Sequence, residues 1–309
     1  MVLTDNCGRP LLNLRVAITR KCNLRCYFCH GEGEEKQAEH VNDEMTADEI
    51  ARIVRIAVNL GVRGIKITGG EPLMRRDIVD IVGQTSSIPG LTDVSMTTNG
   101  TFLEPLAYEL HENGLKRVNI SLPTLNKEDF HKLTGGNVQD TIKGVKAAVA
   151  GGLCPVKLNM LLLRGINVSS VPEMIEFAAE TGTVLQLIEL EPINMNDSFY
   201  ESNHEPLDRF EETLKKKVVK IETRHYMQNR HVYHLPNVSV ELVRPMENTE
   251  FCLHCSRLRI TSDGKLKPCL MRNDNLVDFI TPLRKGASDD QLAKLFKLAN
   301  NRREPFNKN

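Results

Sequence analysis

The chain has 309 residues, 40% of them hydrophobic and 26% charged, which is typical of a soluble globular protein with one large domain or a domain and a smaller appendage. Forty basic residues balance forty acidic ones, tryptophan is absent and only 5% of residues are aromatic, which argues against nucleic-acid binding and against electrostatic attachment to a membrane. The N-terminus lacks a signal-peptide pattern, and no apolar run is long enough for a transmembrane helix. We therefore expect a cytoplasmic protein that acts on neither nucleic acid nor membrane.

Short apolar runs predict six buried β-strands, at residues 14–19, 62–68, 93–98, 116–121, 156–162 and 184–189. Amphipathic helical patterns separate these runs, and the first of them has Thr46 and Glu49 as a capping box and Gly61 at its end. Repeated βα units predict a parallel sheet, and six units are too few for a closed eight-stranded barrel. The predicted fold is α/β: an incomplete (β/α)6 TIM-like barrel over residues 1–217, followed by a smaller C-terminal domain over residues 218–309.

Six of the eight cysteines fall into two groups, and their close spacing without an export signal indicates metal ligation rather than disulfides. The first group, C-x3-C-x2-C, is Cys22, Cys26 and Cys29; the second, C-x2-C-x13-C, is Cys252, Cys255 and Cys269. Iron–sulfur clusters usually take four thiolates, so three would leave one iron open to a ligand. Zinc sites are the alternative. His30 or Glu32 would complete the first site, and His254 or another histidine would complete the second. Spacing alone does not decide between zinc and a cluster at the second group.

The segment Cys22–Cys29, with the aromatic Phe28 before its last cysteine, resembles the signature of the radical S-adenosylmethionine (SAM) superfamily. The sequence TGGEP at the end of the second predicted strand is similar to a second motif of that superfamily. The resemblance implies a [4Fe–4S] cluster on the first three cysteines and SAM as the source of a 5′-deoxyadenosyl radical. It also implies SAM-binding roles for Phe28, Gly70, Glu71, Ser121 and Glu191, the last standing where a methionine is expected.

The second cysteine group and its continuation, FCLHCSRLRITSDGKLKPCL, resemble the molybdenum cofactor biosynthesis protein A family, the GTP 3′,8-cyclases. This resemblance implies a lyase with a second three-cysteine [4Fe–4S] cluster that binds the guanine ring of GTP, while the radical takes hydrogen from ribose C3′ and C3′ closes onto C8. The residues that match GTP contacts are Arg15, Lys66, Thr97, Lys157, Arg257, Leu258, Arg259 and, less specifically, Lys265. Most are cations, which suits a triphosphate in a protein without net charge.

The same family implies an electron donor, a downstream cyclic pyranopterin monophosphate synthase, and a monomer or homodimer. Two features depart from the family pattern: Gln186 stands where an arginine is common, and the chain ends at Asn309 without two terminal glycines. Other hypotheses stay open. They are a peptide-modifying radical SAM enzyme with an auxiliary cluster, a non-catalytic iron–sulfur electron carrier, and a zinc-stapled RNA-binding module, which the neutral charge disfavours.

Overall fold

The structure is a computed structural model that describes residues 2–34 and 44–306. The strands of these residues form one sheet of twelve. They are β1 (Asn13–Ala17), β2 (Gly64–Thr68), β3 (Asp93–Thr98), β4 (Arg117–Ser121), β5 (Val156–Leu161), β6 (Val184–Ile188), β7 (Lys220–Arg224), β8 (Arg230–His234), β9 (Ser239–Val243), β10 (Arg257–Ile260), β11 (Lys265–Lys267) and β12 (Val277–Asp278). The first six confirm the strands predicted from the apolar runs.

The described residues contain eleven α-helices, of which the first eight follow the six N-terminal strands and the last three lie in the C-terminal part of the chain. They are α1 (Ala47–Asn59), α2 (Ile78–Ser86), α3 (Leu103–Glu112), α4 (Lys127–Thr134), α5 (Val138–Ala150), α6 (Val171–Glu180), α7 (Asp197–Asn203), α8 (Asp208–Lys215), α9 (Thr249–Leu253), α10 (Ile280–Arg284) and α11 (Asp289–Asn301). The helix α1 begins with the expected capping box, in which Glu49 N–H donates to Thr46 Oγ1 at 3.2 Å and Thr46 N–H donates to Glu49 Oε2 at 2.9 Å. Among the described helices, none is long and apolar enough to cross a membrane.

The six N-terminal strands lie side by side in chain order and are parallel, but they do not close into a barrel. Strand β1 pairs with β10 on its outer side, and β6 pairs with β9. Apolar side chains of the strands and helices pack together, with Val16, Ile67, Met96, Ile120 and Leu158 all fully buried. The incomplete barrel that the sequence predicted is therefore confirmed.

Residues after the barrel strands extend the sheet at both of its edges. Strands β9, β8 and β7 continue beyond β6, while β10, β11 and β12 continue beyond β1. The turn of the β7–β8 hairpin then meets the segment before β10, where Met227 and Cys255 form an antiparallel bridge and Ser256 Oγ donates to the carbonyl of Tyr226 at 2.7 Å. The hairpin thus crosses the side that the six barrel strands leave open. A domain boundary after residue 217 stays a prediction.

The two ends of the described chain meet beneath the second cysteine group. Arg9 is buried, donates to Asp5 at 2.8 Å and donates to the carbonyl of Cys252 at 2.8 Å. Arg303 is 1% exposed, lies 3.6 Å from Asp5 and donates to the carbonyl of Cys255. These two arginines therefore bind the backbone carbonyls of Cys252 and Cys255.

Replacing Arg303 with alanine should lower the free energy of unfolding by about 3 kcal/mol, because the change leaves buried carbonyl and carboxylate groups without a donor. Glu304→Ala is the matched control, since its exposed ion pair with Arg272 at 3.3 Å should contribute less than about 1 kcal/mol. Urea denaturation followed by circular dichroism measures both. Equal effects of the two substitutions would contradict the stabilising role given to the buried contacts of Arg303.

Candidate active site

A cavity of ≈ 310 Å³ lies inside the curved sheet, and the first cysteine group, the barrel strands, the β7–β8 hairpin and β10 all contribute to its wall. The wall includes Cys22, Cys26 and Cys29. The sulfur-bearing residues of the second group do not line it, but their neighbours Phe251 and Leu270 do. Both cysteine groups therefore lie at or next to one cavity.

Two glycines at the end of β2 allow the loop with the first cysteines to pack against the sheet. A Cβ atom on Gly70 would lie 2.5 Å from the carbonyl oxygen of Arg20 and still closer to that of Lys21. Gly70 N–H donates to Thr19 O, and Glu71 N–H donates to Lys21 O, both at 2.7 Å. A residue without a side chain is therefore required at Gly70 because the cysteine loop approaches its backbone closely.

Glu71 is fully buried and joins the ends of β2 and β3. Its carboxylate accepts from Leu73 N–H at 3.0 Å, Thr98 Oγ1 at 2.7 Å and Asn99 N–H at 2.6 Å. Burial nevertheless raises the pKa of this carboxyl. Glu71 does not line the cavity, so a direct contact with SAM stays a prediction.

The first three thiols face one another closely enough to interact. Burial, followed by the charges of Cys29 and Cys22, raises the pKa of Cys26 to about 12. Leu24 N–H lies 3.4 Å from Cys22 Sγ and Asn99 Nδ2 lies 4.0 Å from it, so donors are directed at this sulfur. Three thiols with amide donors suit an iron–sulfur cluster, whose thiolates bind separate irons.

The second three thiols lie in a cationic setting. Burial acts to raise the pKa of Cys255, but the positive charges of Arg303, Arg257 and Arg9 bring it below its usual value. Burial raises the pKa of Cys269. No group of three or more His, Cys, Asp or Glu residues within 2–34 and 44–306 is placed to hold a metal ion, and this applies to the zinc and the iron–sulfur hypotheses alike.

Strand register aligns cations across one half of the cavity. Arg15 on β1 is in register with Lys66 on β2 and with Arg259 on β10, and all three line the cavity. Arg257, two residues before Arg259, lines it as well. Burial, followed by nearby arginines, lowers the pKa of Lys66 well below its usual value. Neither Lys66 nor Arg257 makes an ion pair with a carboxylate of the described residues.

One carboxylate bridges two of these cations. Glu32 lies 3.3 Å from Arg15 and 2.9 Å from Arg259, and its backbone has a positive φ of 53°. Burial acts to raise the pKa of Glu32, but the two arginines lower it to about 2. An anion therefore already occupies the space between two residues that were predicted to contact GTP.

A second buried carboxylate organises the other half of the cavity. Glu241 is fully buried and pairs with Lys157 at 2.5 Å, Arg230 at 3.3 Å and Arg224 at 3.4 Å. Of these three cations, only Lys157 was predicted from the sequence as a site residue. Arg224 and Arg230 were missed because only the register of the β7–β8 hairpin sets them opposite each other. Their six-residue separation around a turn was the available hint.

Polar residues at the centre of the barrel form a chain of hydrogen bonds. Asn119 accepts from Lys66 Nζ at 2.5 Å and donates to Asn159 at 3.1 Å and to Gln186 at 2.6 Å. Gln186, which stands where the family resemblance led us to expect an arginine, is buried and occupied in this chain of bonds.

Several buried polar atoms of the cavity wall have no hydrogen-bond partner within the described parts of the chain. They are Arg15 Nε, His30 Nδ1, Thr68 Oγ1, Thr97 Oγ1 and Arg230 Nε. Buried polar atoms are normally paired. Their concentration on one wall therefore favours a polar ligand in this cavity.

The structure brings most of the predicted site residues together. Those that line the cavity, besides the first cysteines, are Arg15, Phe28, Lys66, Gly70, Thr97, Ser121, Lys157, Glu191, Arg257 and Arg259. Leu258 points the other way and its side chain is fully buried in the core. Lys265 pairs with Asp263 at 2.8 Å and does not line the cavity. The ligand contacts of all these residues stay predictions.

Known proteins identify the family. The sequence profile of the radical SAM superfamily matches residues 16–178, and the profile described as Molybdenum Cofactor Synthesis C matches residues 183–308. A "Probable GTP 3′,8-cyclase" of Thermococcus kodakarensis is 46% identical over 99% of this chain and 99% of its own length. One from Methanocaldococcus jannaschii is 44% identical over 98% and 99%. The chain belongs to the GTP 3′,8-cyclase family. Membership in the radical SAM superfamily implies a [4Fe–4S] cluster and SAM as cofactors.

Solved structures show that this GTP 3′,8-cyclase family member shares the radical SAM fold. Streptococcus suis SuiB bound to S-adenosylmethionine superposes with a TM-score of 0.61 at 19% identity, covering 84% of this chain. The chain spans 61% of the SuiB length. Native anSMEcpe with bound AdoMet gives a TM-score of 0.58 at 16% identity, over 85% of this chain and 76% of its own. These identities support the fold alone.

Gly70→Ala should prevent full assembly of the first cluster, because its Cβ atom would collide with the carbonyls of the cysteine loop and move the loop. We expect low iron and acid-labile sulfide content after anaerobic reconstitution. Gly135→Ala is the control, since no atom lies within 4 Å of its Cβ position and only its positive φ of 73° is unfavourable. Normal iron content in Gly70→Ala would contradict the steric explanation.

Proposed function

We propose that this protein converts GTP to 3′,8-cyclo-7,8-dihydro-GTP, a lyase reaction that joins ribose C3′ to guanine C8. The observation that carries the proposal is a single cavity bounded by the first cysteine group and by eight basic side chains. These are Arg15, Lys66, Arg117, Lys157, Arg224, Arg230, Arg257 and Arg259. Four carboxylates line the same wall, with Glu241 behind it, so positive charge is in excess. This charge suits a nucleoside triphosphate.

The residues around the first cysteine group fit the two implied cofactors. Cys22, Cys26 and Cys29 would hold a [4Fe–4S] cluster, and the unpartnered Thr68 Oγ1 beside Gly70 offers SAM a polar contact at the end of β2. Phe28, Ser121 and Glu191 would complete the SAM site. When bound, the cluster and SAM supply the 5′-deoxyadenosyl radical that removes hydrogen from ribose C3′. Cys252, Cys255 and Cys269 would hold a second [4Fe–4S] cluster beside the guanine base.

Binding and orientation are the tasks of the side chains. Arg15, Lys66 and Arg259 form one cationic row, and phosphate oxygens entering between Arg15 and Arg259 would displace the carboxylate of Glu32. Thr97 Oγ1, which has no partner in the described chain, would form a hydrogen bond with the nucleotide, as donor or as acceptor. Fixing both reactants in one enclosed cavity favours reaction at a single carbon over side reactions.

A peptide-modifying enzyme is the second hypothesis, since SuiB also has a structure bound to its precursor peptide SuiA. The hairpin that crosses the open side of the barrel and the excess of buried cations favour a compact, highly charged substrate instead. We further propose an external electron donor and the downstream synthase expected for the family. Cytoplasmic location and a monomer or homodimer stay predictions.

Anaerobic incubation of the reduced holoprotein with SAM and GTP should give 5′-deoxyadenosine and the cyclised nucleotide, as measured by liquid chromatography and mass spectrometry. Cys22→Ala should abolish both products, because the first cluster loses a ligand. Cys7→Ser is the matched control, since Cys7 is exposed and belongs to neither group. Guanosine turning over as well as GTP would contradict the role given to the cations.

Binding of GTP should be accompanied by proton uptake at Lys66. Burial and neighbouring arginines lower the pKa of Lys66 in the free protein, and a bound phosphate would raise it again. As the pH rises through the lowered pKa of the free protein, uptake should increase and GTP affinity should fall. Calorimetry over a series of pH values from about pH 8 upward, where phosphate groups are already ionised, in two buffers of different ionisation enthalpy measures the uptake. Lys66→Gln should bind GTP more weakly and without proton uptake. A binding enthalpy of the wild type that does not depend on the buffer would contradict the assignment of the uptake to Lys66.

A further inference from the structure

The β7–β8 hairpin contributes a part of the cavity wall to which no ligand role was assigned from the sequence. Its strands set Arg224 directly opposite Arg230. In its turn, the buried Gln228 donates its backbone N–H to the carbonyl of His254 at 3.1 Å. The hairpin is therefore anchored next to the second cysteine group, and it presents both arginines to the cavity on the side where Arg257 lies.

Arg230 is held in a fixed orientation, and not all of its N–H donors are used. Its side chain is 10% exposed, and its Nη1 donates to Glu241 at 3.3 Å while Nη2 donates to Gln228. The guanidinium lies 5.7 Å from the centroid of the Phe251 ring. Its buried Nε has no partner within residues 2–34 and 44–306. Such a guanidinium is already ordered for one further hydrogen bond, so binding an anion costs little side-chain entropy.

Positive charges outnumber negative charges around Arg230 where it lines the cavity. Arg15 and Arg257 line the same cavity as Arg230, and Arg257 makes no ion pair with a carboxylate of the described residues. Glu241 pairs with both Arg230 and Arg224, and Glu32 pairs with Arg15, so these carboxylates reduce the repulsion among the guanidiniums that face the cavity without abolishing it. An anion placed among Arg15, Arg230 and Arg257 would remove that repulsion.

We propose that Arg230, supported by Arg224, binds the phosphate chain of the nucleotide. This inference rests on the proposed function of the cavity and assigns one end of the substrate to the hairpin. The phosphate chain is a better partner than the guanine base, because the base is neutral and would leave the repulsion among three guanidiniums in place. Charge-assisted contacts from a planar guanidinium are also the strongest that phosphate oxygens receive from side chains.

Arg230→Gln should weaken GTP binding to the anaerobically reconstituted holoprotein by about 10- to 100-fold, the range expected for losing one charge-assisted hydrogen bond. Guanosine binding should not change, so the preference for GTP over guanosine should fall by the same factor. Arg230→Lys should lie between the wild type and Arg230→Gln. Lys220→Gln, at the exposed outer end of the same hairpin, is the control and should leave both affinities unchanged. Titration calorimetry with GTP, GMP and guanosine gives all of these values.

The outcomes separate this inference from the proposed function. A wild-type protein that binds no GTP would overturn the proposed function and the inference with it. Normal GTP binding by Arg230→Gln would overturn the inference alone, as would equal losses for GTP and guanosine, which indicate a role in shaping the cavity. If Arg230→Gln does not fold, Arg224→Gln and the double variant Arg230→Gln with Glu241→Gln replace it, and undiminished GTP binding by both would overturn the inference.

Discussion

Repulsion among buried cations is the constraint on which the rest of the site depends. Parallel pairing of β2, β1 and β10 places Lys66, Arg15 and Arg259 side by side, where they would repel one another inside a low-dielectric cavity. Glu32 on one side and Glu241 on the other reduce this repulsion without abolishing it. Because positive charge remains, an anionic ligand would stabilise this arrangement of cations.

The C-terminal segment completes this arrangement because it enters the sheet at both edges. Strand β10 delivers Arg257 and Arg259 beside β1, whereas the β7–β8 hairpin delivers Arg224 and Arg230 from beyond β6. The bridge between Met227 and Cys255 joins these two parts across the open side of the barrel. These cations and the second cysteine group are consequently fixed by the same contacts.

Departures from the family pattern have physical counterparts in this chain. Gln186 stands where an arginine was expected, and it is in register with Glu241, which holds two arginines of the neighbouring hairpin. Positive charge on this side of the cavity is thus carried by another element. The other departure, a tail without two terminal glycines, concerns residues 307–309, which lie outside the described residues. Arg303, which precedes these residues, donates a hydrogen bond to the carbonyl of Cys255.

The sequence by itself determined the six βα units, the capping box of α1, both cysteine groups and most of the cations that line the cavity. The βα units, the capping box and the cysteine groups follow from local periodicity and spacing, which do not depend on distant contacts, whereas the cations were implied by the family resemblance. Only the tertiary structure decided how those cations are neutralised. The pairing of Glu32 with Arg259 and of Glu241 with Arg224 joins residues far apart in the chain or on different strands. It likewise decided that Gly70 accommodates the cysteine loop and that Leu258 faces the core, because strand register and loop packing are set by the whole sheet.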